Sequence, residues 1–206
     1  MVYKNFFLRI LLTFFFLFTY LFISYFDFRF IFYLINLIYI LIFFEIFYYF
    51  KKYWLIPLIY TFISFSSFIF TIKLDDRDII IFNLYILIVI TFDIFSYLVG
   101  KSLGVNKLIK ISPHKTIEGL IGGILFSVIL SLLFSYIFNI YLSYSIFLFI
   151  ILVILTAFIG DIIESYFKRK NDLKNSSNII PGHGGVFDRF DSFLFSIIVY
   201  SIFVSF

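Results

Sequence analysis

The stretch SIFLFIILVILTAFIGDII, residues 145–163, indicates the fold of this chain. Within it, the run Phe147-Leu148-Phe149-Ile150-Ile151-Leu152 is apolar throughout and does not alternate with polar residues. A helix needs about 20 mostly apolar residues to cross the hydrocarbon core of a bilayer. Only helices and closed β-barrels satisfy their backbone hydrogen bonds there, and barrel strands alternate between polar and apolar residues. We therefore predict a transmembrane helix.

Similar apolar runs lie on both sides of this stretch, in a chain of 206 residues that is 63% hydrophobic, with a mean hydropathy of +1.12. We predict an all-α, polytopic transmembrane helical bundle of about seven spans. The predicted spans are 6–26, 30–50, 54–72, 79–99, 119–138, 145–163 and 189–206. The first is too long for a signal peptide and lacks a small-residue cleavage site, so we interpret it as a retained anchor. We expect one integral membrane domain over 1–206, with N-terminal spans in 1–92 and a catalytic half in 93–206.

The positive charges are distributed unevenly between the two sides of this seven-span arrangement. Of the 16 Lys and Arg residues, all but Arg29, Lys73 and Arg77 fall on the side of the N-terminus. Positively charged loops stay in the cytoplasm, so we predict a cytoplasmic N-terminus. The net charge of +4 fits anionic headgroups. No soluble basic surface is evident, so we expect no nucleic-acid partner. The absence of Cys excludes disulfides and Cys-ligated metals.

Polar residues are concentrated where the sixth predicted span ends, in GDIIESYFKRK, residues 160–170. Asp161, Glu164, Ser165 and Lys168 follow i, i+3, i+4, i+7 spacing and share one face of a helix. Acids near hydrocarbon usually face a watery cavity or a charged partner. The alternative is an interfacial helix end whose charges simply pair with one another.

The second polar segment is PGHGGVFDRFDS, residues 181–192. Acids in the first turn of a helix interact favourably with the helix dipole. This effect accounts for one or both of Asp188 and Asp191, but not for His183 and the glycines. Asp161, Asp188 and Asp191 could converge between the last two spans. With no Cys and two His in the chain, an all-oxygen site of this kind suits Mg²⁺. The neighbouring bases could hold phosphate; they are Lys168, Arg169, Lys170 and Lys174.

Further polar residues lie elsewhere in the chain. In SPHKTIEG, residues 112–119, Lys115 suits phosphate binding and Thr116 could cap the fifth span. Asp93 in the fourth span is a functional-site hypothesis, with a buried hydrogen-bonded acid as the alternative. We interpret Glu45 as a contact to a neighbouring helix. The segment KLDDRD, 73–78, is one residue short of the aspartate-rich motif of prenyl-transferring enzymes, and we predict a solvated loop.

The segment SYFKRKNDLKNSSNIIPGHGGVFDRFDS, residues 165–192, resembles the signature of the phosphatidate cytidylyltransferase (CDP-diacylglycerol synthase) family. The residues in register are Ser165, Lys168, Arg169, Lys174, Pro181, His183, Gly184, Gly185, Asp188, Arg189 and Asp191. Residues 93–119 are similar to a second motif region of the family. One departure is Lys174-Asn175, where the family has Lys-Asp, although Asp172 lies close in sequence.

The resemblance implies cytidylyl transfer from CTP to phosphatidate, which forms CDP-diacylglycerol and pyrophosphate in phospholipid biosynthesis. It implies catalytic roles for Lys168, Arg169, His183, Asp188 and Asp191. The implied substrate-binding residues are Ser112, Lys115, Thr116, Glu118, Glu164, Ser165, Lys174, Gly184, Gly185 and Arg189. Asp161, Asp188 and Asp191 are the expected ligands of Mg²⁺, and some members use a second cation such as K⁺.

The resemblance also implies a homodimer in the bacterial inner membrane, with the site facing the cytoplasm. Two kinds of alternative function stay open at this point. A related CTP-dependent lipid kinase or a CDP-archaeol-type synthase would use similar metal chemistry. An ion-coupled membrane transporter would use the intramembrane acids without CTP turnover.

Overall fold

The computed structural model describes residues 19–20, 22, 27–71, 76–109, 115–180 and 184–205. The helices of this part are α1 Arg29–Tyr49, α2 Leu55–Thr71, α3 Asp76–Leu103, α4 Ile117–Ile137, α5 Tyr144–Lys170 and α6 Phe187–Ser205. Within these ranges no β-strand occurs, and the backbone forms only isolated bridges between Lys107 and Thr116 and between Ile180 and Gly184. The predicted all-α class is confirmed.

Four of these helices, α1, α3, α4 and α5, are long and apolar enough to cross a membrane. Helix α2 is also apolar but shorter, with 17 residues. Helix α6 has 19 residues and carries Asp188, Arg189 and Asp191 in its first two turns. The first predicted span, 6–26, lies outside the described residues except for 19–20 and 22.

Two predicted boundaries differ from the structure. The segment 73–78, predicted as a loop, is helical from Asp76 onward, while 73–75 lies outside the described residues. Helix α5 extends past the predicted span boundary at residue 163 and ends at Lys170, so the helix predicted through the polar residues up to Lys168 is confirmed. Its last turn carries Lys168, Arg169 and Lys170, and positive charge at a helix C-terminus is favourable to the helix dipole.

Helix α6 occupies a central position, because it contacts α5, α2 and α3. Its core-facing side chains, Leu194 and Ile197, are fully buried, as are Ile150 of α5 and Ile88 of α3. The N-terminal end of α6 therefore lies beside the polar C-terminal third of α5. This position brings the two acid-bearing segments of the sequence together.

Helices α3 and α4 pack closely through small residues. A Cβ atom on Gly119 would lie 2.6 Å from the carbonyl oxygen of Ser96, and one on Gly122 would lie 2.6 Å from the Val99 side chain. Small residues let helix backbones approach in this way inside membranes. The contact fixes the beginning of α4, and with it the described residues Lys115 and Thr116, next to the end of α3.

Candidate active site

Three carboxylates from two helices meet beside the glycine of α5. Asp161 and Glu164 of α5 and Asp191 of α6 each offer one oxygen, and these oxygens lie within 4.8 Å of one another. A Cβ on Gly160 would lie 2.5 Å from the carbonyl oxygen of Asp191 and 3.0 Å from Cβ of Phe195. The missing side chain at Gly160 thus lets the two helix backbones approach. We call Asp161, Glu164 and Asp191 the acid cluster.

Two lysines bind directly to acids at this position. Lys168 Nζ lies 2.6 Å from Glu164 Oε2 and 2.7 Å from Asp188 Oδ1. Lys115 Nζ lies 2.6 Å from Asp161 Oδ2. Lys115 precedes α4 and Lys168 lies in the last turn of α5, so the segments 112–119 and 160–170 each contribute a lysine to one site.

Asp188 is bound on both carboxylate oxygens. Oδ1 accepts a hydrogen bond from Lys168 Nζ, and Oδ2 accepts from the backbone N–H of Ser176 at 2.9 Å and of Gly185 at 2.8 Å. Gly184 has φ +88°, in the left-handed region that favours glycine, and a Cβ there would collide with the Asp188 carboxylate. Asp188 therefore holds the glycine loop against α5.

The sequence predicts Asp161, Asp188 and Asp191 as cation ligands. In the structure, Glu164 rather than Asp188 completes the group with Asp161 and Asp191. The Asp188 carboxylate lies next to this group, because Asp188 Oδ1 and Glu164 Oε2 both contact Lys168 Nζ. The assignment of Asp188 as a ligand stays a prediction.

Acidic charge exceeds basic charge in this region. The carboxyl groups are those of Asp93, Asp161, Glu164, Asp188 and Asp191, and the interacting bases are Lys115, Lys168 and Arg189. Asp93 is fixed by Ser192, whose hydroxyl donates to Asp93 Oδ1 at 2.8 Å. Buried charges without compensation are costly, so this excess favours a bound cation or proton uptake.

The buried atoms of the acid cluster fit a hard cation. Glu164 is fully buried, and its Oε1 has no hydrogen-bond partner among the described residues. A donor set of carboxylate oxygens, without sulfur or imidazole, is the set that Mg²⁺ prefers. The residues present therefore fit the Mg²⁺ ion that the sequence predicted.

Glu45 of α1 holds the loop that leads into α6. Its fully buried carboxylate accepts hydrogen bonds from the backbone N–H groups of Val186, at 2.7 Å, and Phe187, at 2.9 Å. The hydroxyls of Ser176 and Ser177 donate to the same carboxylate, at 3.2 and 2.7 Å. From the sequence we expected only a helix contact here, although a lone acid in an apolar span is itself a functional signal.

Two predicted substrate-binding residues organise the beginning of α4. Thr116 is the N-cap, and its hydroxyl accepts from the backbone N–H of Gly119 at 3.1 Å, which confirms its predicted capping role. The Glu118 carboxylate accepts from the backbone N–H of Val105 and from the side-chain amide of Asn106. Glu118 thus closes the loop before α4, and nucleotide contacts by either residue stay predictions.

The remaining predicted residues lie at different places around the site. Ser165 is buried, Lys174 is exposed, and exposed Arg169 donates to the carbonyl oxygen of Leu173 at 3.0 Å. Ser112 and His183 lie outside the described residues, so their predicted roles stay predictions.

Asp172 does not take the place of the aspartate that the family has beside Lys174. It is exposed and forms an ion pair with Lys52 Nζ at 2.5 Å, at the loop between α1 and α2. The hydrogen bond and the charge of Asp172 raise the pKa of Lys52. Asn175 itself lies beside Gly184, with its Cβ 3.3 Å from where a Cβ on that glycine would be.

Comparison with known proteins gives a consistent assignment. The model of the cytidylyltransferase family matches residues 2–206. A phosphatidate cytidylyltransferase of Bacillus subtilis (strain 168) is 48% identical over 103 residues, which is 48% of this chain and 38% of the relative. Proteins of the same name from Rickettsia bellii (strain RML369-C) and Staphylococcus aureus (strain COL) are 49% and 45% identical over 119 and 111 residues. These matches cover 54% and 53% of this chain, and 52% and 43% of the relatives, so the chain matches about half or less of each relative's length.

Proposed function

We propose that this chain, which belongs to the cytidylyltransferase family, transfers a cytidylyl group from CTP to phosphatidate and releases pyrophosphate. The observation that carries the proposal is the junction of α5 and α6, where three carboxylates and two lysines from separate segments meet. The similarity to phosphatidate cytidylyltransferases supports the choice of substrates.

The reaction needs little proton transfer. A phosphate oxygen of phosphatidate is already ionised, and it attacks the α-phosphorus of CTP. A new P–O bond forms as the bond from the α-phosphorus to the bridging oxygen breaks, and pyrophosphate carries away the electron pair. Catalysis then depends on holding the reacting groups in line and on stabilising the negative charge that develops.

The acid cluster is the proposed holder of Mg²⁺, through Asp161, Glu164 and Asp191, with Asp188 as the further ligand that the sequence predicts. When bound, Mg²⁺ would neutralise phosphate charge and orient the phosphates for displacement. In some relatives a second cation such as K⁺ is expected beside it.

The lysines supply the other part of the charge. Lys115 and Lys168 are held at 2.6 Å by Asp161 and Glu164, so their ammonium groups are fixed before a substrate arrives. Preorganised charges of this kind stabilise a transition state without reorganisation at the moment of reaction. We assign both lysines to the phosphates of CTP and of the leaving pyrophosphate.

The proposed enzyme is an integral membrane protein of defined topology, location and assembly. The apolar runs of the sequence support seven spans, and the charge distribution supports a cytoplasmic N-terminus. The apolar helices support an integral membrane protein. The relatives are bacterial, which favours the inner (cell) membrane, with the site open to CTP from the cytoplasm. A homodimer is the expected assembly.

The decisive experiment is a turnover assay on the purified protein in mixed detergent–lipid micelles. Supplied with CTP, phosphatidate and Mg²⁺, it should release CDP-diacylglycerol and pyrophosphate in equal amounts. Glu164→Gln should abolish both products. Asp172→Asn is the matched control, because that acid is exposed and forms its ion pair with Lys52, not with a residue of the acid cluster.

Other products would identify the alternatives. Release of CDP with a phosphorylated alcohol would indicate a lipid kinase, and turnover of an ether-linked acceptor alone would indicate a CDP-archaeol-type synthase. A folded protein that consumes no CTP with any of these lipids would contradict the proposal. Cation-driven solute flux in vesicles would then indicate a transporter.

A further inference from the structure

Tyr60 of α2 has a hydroxyl in an unusual position. The hydroxyl is buried and has no hydrogen-bond partner among the described residues. The ring packs between two helices, with its centroid 5.5 Å from the Phe167 ring of α5 and 6.3 Å from the Phe195 ring of α6. Since the large majority of buried side-chain polar atoms have a partner, this hydroxyl requires an explanation.

The two aromatic neighbours place Tyr60 beside the acid cluster. Phe167 follows Glu164 by three residues, and Phe195 follows Asp191 by four, so each ring lies on the same helix face as an acid, one turn away. The charges of Asp191 and Glu164 act on the Tyr60 hydroxyl, with that of Asp191 the stronger. The phenol thus approaches the cluster from α2, a helix that contributes none of its carboxylates.

Chemistry restricts the partner to a hydrogen-bond acceptor. A phenolic hydroxyl can donate to a carboxylate, and Asp191 Oδ1 accepts a hydrogen bond from the backbone N–H of Ser192, at 2.8 Å. Groups that hydrogen bond to metal-binding side chains fix the orientation of those side chains.

We propose that Tyr60 is a positioning residue of the acid cluster, whose hydroxyl donates a hydrogen bond to the Asp191 carboxylate and orients it toward the cation. This inference depends on the proposed cation-dependent function, but concerns a residue outside both polar segments. Tyr60 acts through Asp191 and does not touch the reacting phosphates.

The test is Tyr60→Phe, which removes the hydroxyl and keeps the ring between Phe167 and Phe195. Mn²⁺ affinity, measured by electron paramagnetic resonance on the full chain in micelles, should fall by about 10- to 100-fold. The Mg²⁺ concentration for half-maximal turnover should rise by the same factor, and saturating Mg²⁺ should restore kcat. A residue that only stabilises the bundle would change the thermal midpoint without this rescue.

Tyr200→Phe is the matched control. Tyr200 is also a buried tyrosine, but its hydroxyl points to the carbonyl oxygen of Asp78, at 3.5 Å, at the opposite end of α6 from Asp191. Its loss should leave Mn²⁺ affinity within twofold of the wild type. A double-mutant cycle with Asp191→Asn adds a second measurement: once Asp191 is changed, loss of the Tyr60 hydroxyl should weaken Mn²⁺ binding no further.

Each outcome has a distinct meaning. Equal Mn²⁺ affinity in Tyr60→Phe and the wild type, or independent effects in the cycle, would overturn the role of Tyr60. A wild type that binds Mn²⁺ but forms no CDP-diacylglycerol would contradict the proposed function alone. The role of Tyr60 could then still be tested by comparing the Mn²⁺ affinities of the wild type and Tyr60→Phe. A folded wild type without Mn²⁺ affinity would overturn the inference.

Discussion

The carboxylate of Glu45 accepts a hydrogen bond from the backbone N–H of Val186, with 2.7 Å between Oε1 and N. The two residues are 141 positions apart in the chain. Through this bond, α1 of the N-terminal half fixes the loop that carries Gly184 and Gly185 into α6. A Cβ on Gly185 would lie 2.6 Å from the Glu45 carboxylate, so the glycine allows this close approach.

Glu45→Gln should destabilise the protein and reduce its activity. The carboxylate accepts four hydrogen bonds in a fully buried position, and an amide would place a donor against at least one of these donors. Each buried donor left unpaired costs about 1–3 kcal/mol. We expect a lower thermal midpoint in detergent and faster proteolysis within residues 174–187.

Glu118→Gln is the control for Glu45→Gln. Its carboxylate also accepts backbone N–H groups, at Val105 and Asn106, but at an exposed position where water can replace them. We expect little change in its thermal midpoint. Equal stability losses in the two variants would show that burial of Glu45 does not control the loop.

Lys115→Met should reduce kcat/KM for CTP by about 100-fold, the order of loss found when one preorganised transition-state donor is removed. The ammonium group lies 2.6 Å from Asp161 Oδ2 and compensates the charge of that carboxylate. CDP-diacylglycerol formation at varied CTP measures the effect. Lys107→Met removes an exposed lysine from the same loop and should keep near wild-type activity. A similar loss of activity in both variants would show that Lys115 acts only through the general positive charge of the loop and not through a specific phosphate contact.

The sequence predicted the helical class and the convergence of the two polar segments for identifiable reasons. Uninterrupted apolar runs do not alternate as barrel strands do, so helices are the structure that satisfies their backbone hydrogen bonds in lipid. The i, i+3, i+4 spacing places Asp161 and Glu164 on one face of α5. The same spacing indicated a helix through the polar residues up to Lys168. What it could not show is the partner of Lys168 outside α5, Asp188, because that contact depends on how α6 packs against α5.

The partner of each carboxylate could not be predicted from spacing. Asp188 and Asp191 are both near the beginning of α6, yet Asp188 binds the glycine loop and Lys168, whereas Asp191 faces Asp161 and Glu164. The choice depends on how α6 is rotated against α5. That rotation is fixed by packing at Gly160 and by Glu45, a residue far away in the sequence.

Gly160→Ala should separate α5 from α6. A Cβ at this position would lie 2.5 Å from the Asp191 carbonyl oxygen. Overpacking of this kind costs about 1–3 kcal/mol of stability. The better helix propensity of Ala over Gly returns only roughly 1 kcal/mol, so we expect a net loss of stability. We expect a lower thermal midpoint and weaker Mn²⁺ binding. Gly100→Ala, whose Cβ would meet only Thr116 Oγ1 at 3.1 Å and Gly119 Cα at 3.5 Å, should be milder. A more stable Gly160→Ala variant would contradict the packing described here.

Mg²⁺ should stabilise the protein against heat, and chelation should reverse the effect. Asp161, Glu164 and Asp191 repel one another when ionised, and a cation that binds only the folded state removes this repulsion. At 100 times its dissociation constant the ion would add about 2.7 kcal/mol, enough for a shift of several degrees. Thermal unfolding with Mg²⁺ and with EDTA measures it, and Asp161→Asn should lose most of the shift. Asp172→Asn changes a surface acid and should keep the Mg²⁺-induced shift of the thermal midpoint. If the shift instead survives in Asp161→Asn and disappears in Asp172→Asn, the cation binds outside the acid cluster.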